Sequence, residues 1–129
     1  MFCEWHKQSD PFHGTNIYLP PSAVAGALIG KNRPTNPWKP FAGLRRGTFA
    51  CIGLSQNYTN AEMDELLENQ INPLTRFGGS YALIDNLTML TYNSAFSNLN
   101  IRFLFDYITE VSEDYLLTFV QEYNDEATR

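Results

Sequence analysis

No stretch of this sequence approaches the roughly 18 consecutive apolar residues of a bilayer-spanning helix, which excludes a helical membrane span. Met1 to Asp10 also lacks the charged-then-apolar order of a secretory leader, so synthesis and residence in a cytosol are expected. Cysteine is scarce. With only Cys3 and Cys51, a fold stapled by several disulfides is excluded, and both are expected as reduced thiols, with Cys51 in the core. Asn57-Tyr58-Thr59 and Asn86-Leu87-Thr88 have glycosylation spacing, which matters only in a secreted protein. Base is in deficit, with 9 Lys and Arg against 14 Asp and Glu and a net charge of -5. General affinity for nucleic acid rests on a basic surface that neutralises phosphates, so none is expected. Internal repeats and low-complexity segments are absent as well.

What the chain does have is apolar bulk. Its 129 residues are 43% hydrophobic and 14% aromatic, enough for one domain around one core, and 18% charged, too little for a solvating disordered segment. The charges are unevenly placed. Lys31, Arg33, Lys39, Arg45 and Arg46 follow one another with no acid between, whereas Asp106, Glu110, Glu113, Asp114, Glu122, Asp125 and Glu126 follow with no base. A bipolar surface suits head-to-tail contact between identical copies, which closes into rings or propagates as a helix. The alternative is two solvated charged faces.

Met1 to Tyr18 has no clear period and reads as an irregular or extended lead-in. After Pro20-Pro21, Ser22 is placed to cap a short helix through Ala23, Val24, Ala25, Ala27 and Leu28, and Gly30 to stop it. Pro34, Pro37 and Pro40 recur every third residue between Lys31 and Arg46, a spacing that favours an extended polyproline strap presenting Trp38 and Phe41. Thr48 to Leu54, bounded by Gly47 and Gly53, reads as one buried strand. Thr59 and Glu62 have capping-box spacing, and Met63, Leu66, Leu67 and Ile71 follow at helical intervals until Pro73. Gly78-Gly79 turns the chain into a strand over Ser80 to Ile84, with another expected over Leu87 to Thr91. Ile101, Leu104, Phe105, Ile108, Val111 and Tyr115 make the stripe of a long helix, with Arg102, Asp106, Glu110 and Glu113 opposite. That helix is expected to be the main filler of the core, and a polar tail from Gln121 to Arg129 follows it.

Sites for chemistry are hard to assemble from these residues. Gly26 to Asn32 has the look of a phosphate-binding loop, but its spacer is one residue short and Asn32 replaces the hydroxyl that would hold magnesium. Cys3, His6, His13 and Cys51 match no common zinc spacing. Ser22 lacks the glycines of a nucleophile elbow, and Glu62, Asp64, Glu65 and Glu68 read as helix solvation. Trp38 and Phe41 amid cations could stack on a single-stranded nucleic acid, or dock as a Pro-x-x-Pro segment in an aromatic groove. Packing of the strap on its own sheet is the reading adopted. No catalytic, metal or cofactor residue is assigned.

Pro20-Pro21-Ser22-Ala23-Val24-Ala25-Gly26 resembles the Pro-Pro-Ser…Ala-Gly signature that opens the C-terminal core of phage contractile tail sheath proteins. Pro37-Trp38-Lys39-Pro40-Phe41-Ala42-Gly43 is similar to the family's Trp-Lys-x-Pro-x-Ala-Gly segment, and Ile71-Asn72-Pro73 to its Ile-Asn before an irregular loop. Ser80 to Met89 resembles the strand and Thr-containing turn that follow, with Thr88 in place. Asn100-Ile101-Arg102 resembles the opening of the long helix, and Glu122-Tyr123-Asn124-Asp125 its exit. The pattern departs at Phe103, where a second arginine is common, and at Asp85, where glycine is usual. Family members also continue past the position of Arg129 through another helix and a terminal strand, and carry a large N-terminal portion, so a truncated core portion is expected. In the family, terminal extensions lend strands to neighbouring subunits' sheets.

The combined expectation is an α+β domain, a small mixed β-sheet covered by two main helices, Asn60 to Gln70 and Asn100 to Val120. Residues 1–16 would be the lead-in and 17–129 the sheath-core-like domain. The resemblance implies a structural, non-enzymatic subunit of a contractile phage tail sheath, a helical tube around the tail tube whose contraction drives genome delivery. Implied partners are other copies in rings and tube, the tail tube protein and other sheath segments, with no nucleic acid, membrane or cofactor. The implied place is the virion tail, assembled in the host cytoplasm. Candidate subunit or tube contacts are Arg45, Arg46 and Arg102 on the basic side and Glu110, Glu113 and Asp114 on the acidic side. The alternatives are the sheath of a related contractile injection particle, or a small binding module that uses the Pro34 to Phe41 strap.

Overall fold

In the computed structural model, residues 1–34, 36–120 and 122 are described, and the fold grows from one hairpin. Strands β6 (Asn72–Phe77) and β7 (Ser80–Leu83) are joined by Gly78 and Gly79, whose φ angles of 53° and 94° suit a tight hairpin turn and resist other side chains. The register sets Leu74 opposite Leu83, both fully buried. The first strand, β1 (Phe2–Cys3), joins β6 in parallel, and β4 (Thr48–Phe49) joins β7 antiparallel. A mixed sheet of order β1-β6-β7-β4 results. A second, antiparallel sheet has the order β3-β2-β5, from β2 (His6–Ser9), β3 (Asn16–Leu19) and β5 (Gly53–Leu54). The leading residues are extended and paired into both sheets, and the chain crosses between them at Glu4, with φ 87°.

Helix α1 (Pro21–Asn32) begins with Pro21 in its first turn, where a missing N–H costs nothing, after an extended Pro20. Ser22 makes no capping bond, and Gly30 lies inside the helix instead of ending it, because Arg33 N still donates to Ile29 O at 2.9 Å. Val24, Ala25 and Leu28 are buried, and Val24 and Leu28 join Phe41, Leu74 and Leu83 in the core. The proline segment that follows is built of turns rather than extended polyproline, with Lys39 N donating to Asn36 O at 3.1 Å. That folding back drives Phe41 inward to 1% exposure.

The expected single strand from Thr48 to Leu54 is two short strands, β4 and β5, in different sheets. The backbone leaves one sheet for the other there, and Ile52 N donates to Lys7 O at 2.9 Å. Cys51 is accordingly half-buried, not core, and Ile52 is exposed. Helix α2 (Asn60–Glu68) has the expected capping box: Thr59 N donates to Glu62 Oε2 at 2.8 Å and Glu62 N to Thr59 Oγ1 at 3.4 Å. Thr59 Oγ1 also donates to Glu62 Oε2 at 2.9 Å, and the two bonds that the carboxyl accepts from Thr59 hold it below its ordinary pKa. The residues after Ile71 are not a loop but β6, whose second residue, Pro73, lacks a donor and needs none there; its carbonyl accepts from Ile84 N at 3.4 Å. Leu87 to Thr91 is not a strand, and only Leu87 bridges to Asn98.

Helix α3 (Leu99–Leu117) is not the core filler that its stripe predicted. It packs on the core through Leu99 and Phe103, one row of residues four apart, while Phe105, Ile108, Val111 and Tyr115 stay exposed. The core is filled by α1 instead. The polar tail, apart from Glu122, lies outside the described residues, as does the match at Tyr123 to Asp125.

His6 sits in this framework at 3% exposure, stacked edge-on to Phe49 at 5.9 Å, with no hydrogen-bond partner for Nδ1 among the described residues. Burial pushes its pKa below the ordinary value of 6.5. The unfolded chain therefore takes up a proton that the fold rejects, so the contribution of His6 is complete above about pH 6.5 and is lost as pH falls below it. We expect the thermal midpoint to fall from pH 7.5 to pH 5, and His6→Phe to flatten part of that slope. Parallel slopes for the two proteins, measured by circular dichroism, would contradict this.

Candidate assembly surface

The basic candidates are held by a tight turn. Gly43 N donates to Leu83 O at 2.8 Å, Leu83 N to Gly47 O at 2.9 Å and Gly47 N to Gly43 O at 2.7 Å. Gly43 takes φ 84°, and a Cβ at Gly47 would stand 2.8 Å from Gly43 N and Leu83 O, so both positions demand glycine. Leu44, Arg45 and Arg46 are thereby presented outward. Arg102 lies elsewhere, on α3, with its guanidinium 5.7 Å from the Phe96 ring centroid. Glu110, Glu113 and Asp114 stand exposed on the projecting half of the same helix. The structure thus groups the two arginines on one turn and the three acids on one helix stretch, with Arg102 separate from both. Among the described residues none of the six forms an ion pair.

Helix α3 is anchored at its start. Leu99 N donates to Asn86 O at 2.9 Å, Asn86 Nδ2 to Asn100 Oδ1 at 3.1 Å and Asn100 Nδ2 to Trp38 O at 3.4 Å. Trp38 packs on Tyr107 of α3, with ring centroids 5.6 Å apart, rather than on its own sheet. Between the proline segment and α3 lies a cleft of about 160 Å³, bounded by Arg33, Trp38, Phe103, Asp106, Tyr107 and Glu110 among others. Sequence reasoning missed it because it depends on which helix the tryptophan meets. The departures from the sheath pattern have structural uses here: Phe103 packs at 6.3 Å on Phe41, and Asp85 Oδ1 accepts from Asn86 N at 2.7 Å.

Elsewhere the chemistry is sparse. Gly26 to Lys31 lies within α1, so its amides are spent on the helix and form no phosphate cradle. Among the described residues no three His, Cys, Asp or Glu side chains gather as metal ligands. Burial pushes both thiols, Cys3 and Cys51, above their ordinary pKa. Phe41, one of the two aromatics considered for a nucleic acid or groove partner, is locked in the core.

No protein-family model matches the chain. The tail sheath protein of Vibrio phage KVP40 is 30% identical over 125 residues, 95% of this chain. That of Enterobacteria phage T4 is 32% identical over 105 residues, 78% of this chain. Over this length the chain belongs to the tail sheath family. It spans only 19% and 16% of those two tail sheath proteins. The fold agrees. A chain of the anti-feeding prophage helical sheath in its contracted state superposes with a TM-score of 0.80 at 22% identity, over 98% of this chain and 35% of that one. A chain of the prophage's baseplate gives 0.79 at 22% identity, over 98% and 34%. The α+β arrangement of this tail sheath segment is therefore that of sheath chains.

Proposed function

We propose that the chain is a structural segment of a contractile phage tail sheath, with residues 17–129 as its core-like portion and 1–16 as lead-in. It works by assembly into a helical tube around a tail tube, and contraction of that tube drives genome delivery. The observation that carries this is the match of 95% of the chain to a named tail sheath protein. A switch between two lattice states needs differential contact energy, not a catalytic residue, and no enzymatic role is proposed. The partners are other copies, the tail tube protein and other sheath segments; the place is the virion tail, assembled in the host cytoplasm. Nucleic acid and membrane are not proposed as partners. The likeness to the anti-feeding prophage sheath favours a second reading, the sheath of a related contractile injection particle.

The test is sedimentation with negative-stain microscopy of the purified chain, alone and with the remaining sheath segments from the same genome, at low and high salt. Rings or tubes that weaken with salt are expected. A folded monomer that ignores every such segment would overturn the proposal.

A further inference from the structure

We infer that the carboxylate face of α3, beside the Trp38–Tyr107 cleft, receives the Arg45–Arg46 turn of a second copy of this chain. The inference rests on the assembly reading and names the partner of its acidic side. Asp106, Glu110, Glu113 and Asp114 follow at three- and four-residue spacing and so share one helix face. The one base on this side of α3 is Arg102, a turn before Asp106, and it forms no ion pair among the described residues, so the acids beyond Asp106 have no base beside them on the helix. Glu113 and Asp114 also lie near the C-terminal end of the helix, where its dipole already disfavours negative charge. Within the chain this arrangement is unfavourable, and a cation from outside relieves it.

The cleft defines which cation fits. Trp38 and Tyr107 pack against each other at a tilt of 57°, with ring centroids 5.6 Å apart, and the cleft they border is also lined by Asp106 and Glu110, with a single base, Arg33, to set against the two carboxylates. An aromatic ring bordering a carboxylate suits a planar guanidinium, which can lie on the ring and bond the carboxylate, better than an ammonium. The chain carries such a group ready-made. Arg45 and Arg46 are exposed without an ion pair among the described residues, on a turn pinned by backbone bonds to β7, so little ordering is lost on docking. Turn and cleft are different patches of one chain, so each docking leaves a free turn at one end and a free cleft at the other. Such a contact is head-to-tail and propagates, as a sheath requires.

The test uses charge exchange in the full chain. One variant carries Arg45→Glu with Arg46→Glu, the other Glu110→Arg with Glu113→Arg; all four side chains are exposed, and circular dichroism melts confirm folding. In sedimentation velocity at low salt, each variant alone is expected to lose at least about tenfold in self-association. Their equimolar mixture is expected to recover it, because every turn then meets a cleft of opposite charge in an alternating chain. Wild-type association that neither reversal disturbs, or that only one of them disturbs, overturns the docking and leaves the assembly reading intact. A wild-type chain that stays monomeric alone yet joins other sheath segments does the same. One that neither self-associates nor joins those segments overturns both.

Discussion

Phe41→Ala is expected to lower the unfolding free energy by about 4 kcal/mol, the range for truncating a fully buried phenylalanine. Its ring is 1% exposed and lies 6.5 Å from Phe2 and 6.3 Å from Phe103, so it joins the first strand, the proline segment and α3 around one point. Those neighbours come from distant parts of the chain and are fixed by their own backbone bonds, so the cavity cannot close by a local shift. Because total stability in a small domain is only about 5–15 kcal/mol, the variant should be near its unfolding threshold at room temperature. Phe41→Leu separates volume from shape and should cost about 1–2 kcal/mol. Urea denaturation gives both numbers. A loss under 1 kcal/mol for the alanine would mean that the core is centred elsewhere.

Phe41 also shows where the sequence stops being readable. Three prolines at every third residue predicted an extended strap, and the inward side of that strap was ambiguous. Periodicity describes one element, whereas Phe41 is buried because the segment turns back onto a sheet made by others. The capping box at Thr59 and Glu62 and the Gly78-Gly79 turn were legible, since each is a local bargain between neighbouring residues. The strand at Asn72 was not, because Pro73 signals an interruption and only tertiary pairing with Phe2–Cys3 and Leu83 makes the segment a strand. Helix α3 was found with nearly its observed bounds, yet its role was misjudged. An apolar stripe states that something covers it, not that this chain does. Phe105, Ile108, Val111 and Tyr115 are exposed here, and the packed row runs through Phe103 instead. The charged contacts had a partial signal, the separation of base from acid along the chain, whereas the Trp38–Tyr107 cleft between them had none.

Asn72→Ala is expected to destabilise the fold by about 4 kcal/mol although it removes only an amide. The side chain is fully buried. Its Nδ2 donates to Leu87 O at 2.8 Å and to Met1 O at 3.1 Å, and its Oδ1 accepts from Leu87 N at 2.8 Å. The amide thus replaces a strand ladder: it ties β6 to the first residue of the chain and to the segment that leads into α3. Truncation strands the Leu87 N–H and C=O, each worth about 1–3 kcal/mol when left unpaired, whereas Met1 O keeps the bond from the Asn72 backbone N–H at 2.6 Å. Hydrogen exchange at the Leu87 amide should rise with the same substitution, which separates lost bonds from a lost contact. Asn72→Asp keeps the shape but cannot donate while ionised, so it should be as damaging at neutral pH and milder in acid, where the protonated carboxyl regains one donor. An alanine variant within 1 kcal/mol of wild type, with Leu87 still protected, would mean that water or backbone closes the gap and that the amide is not the tie between β6 and α3.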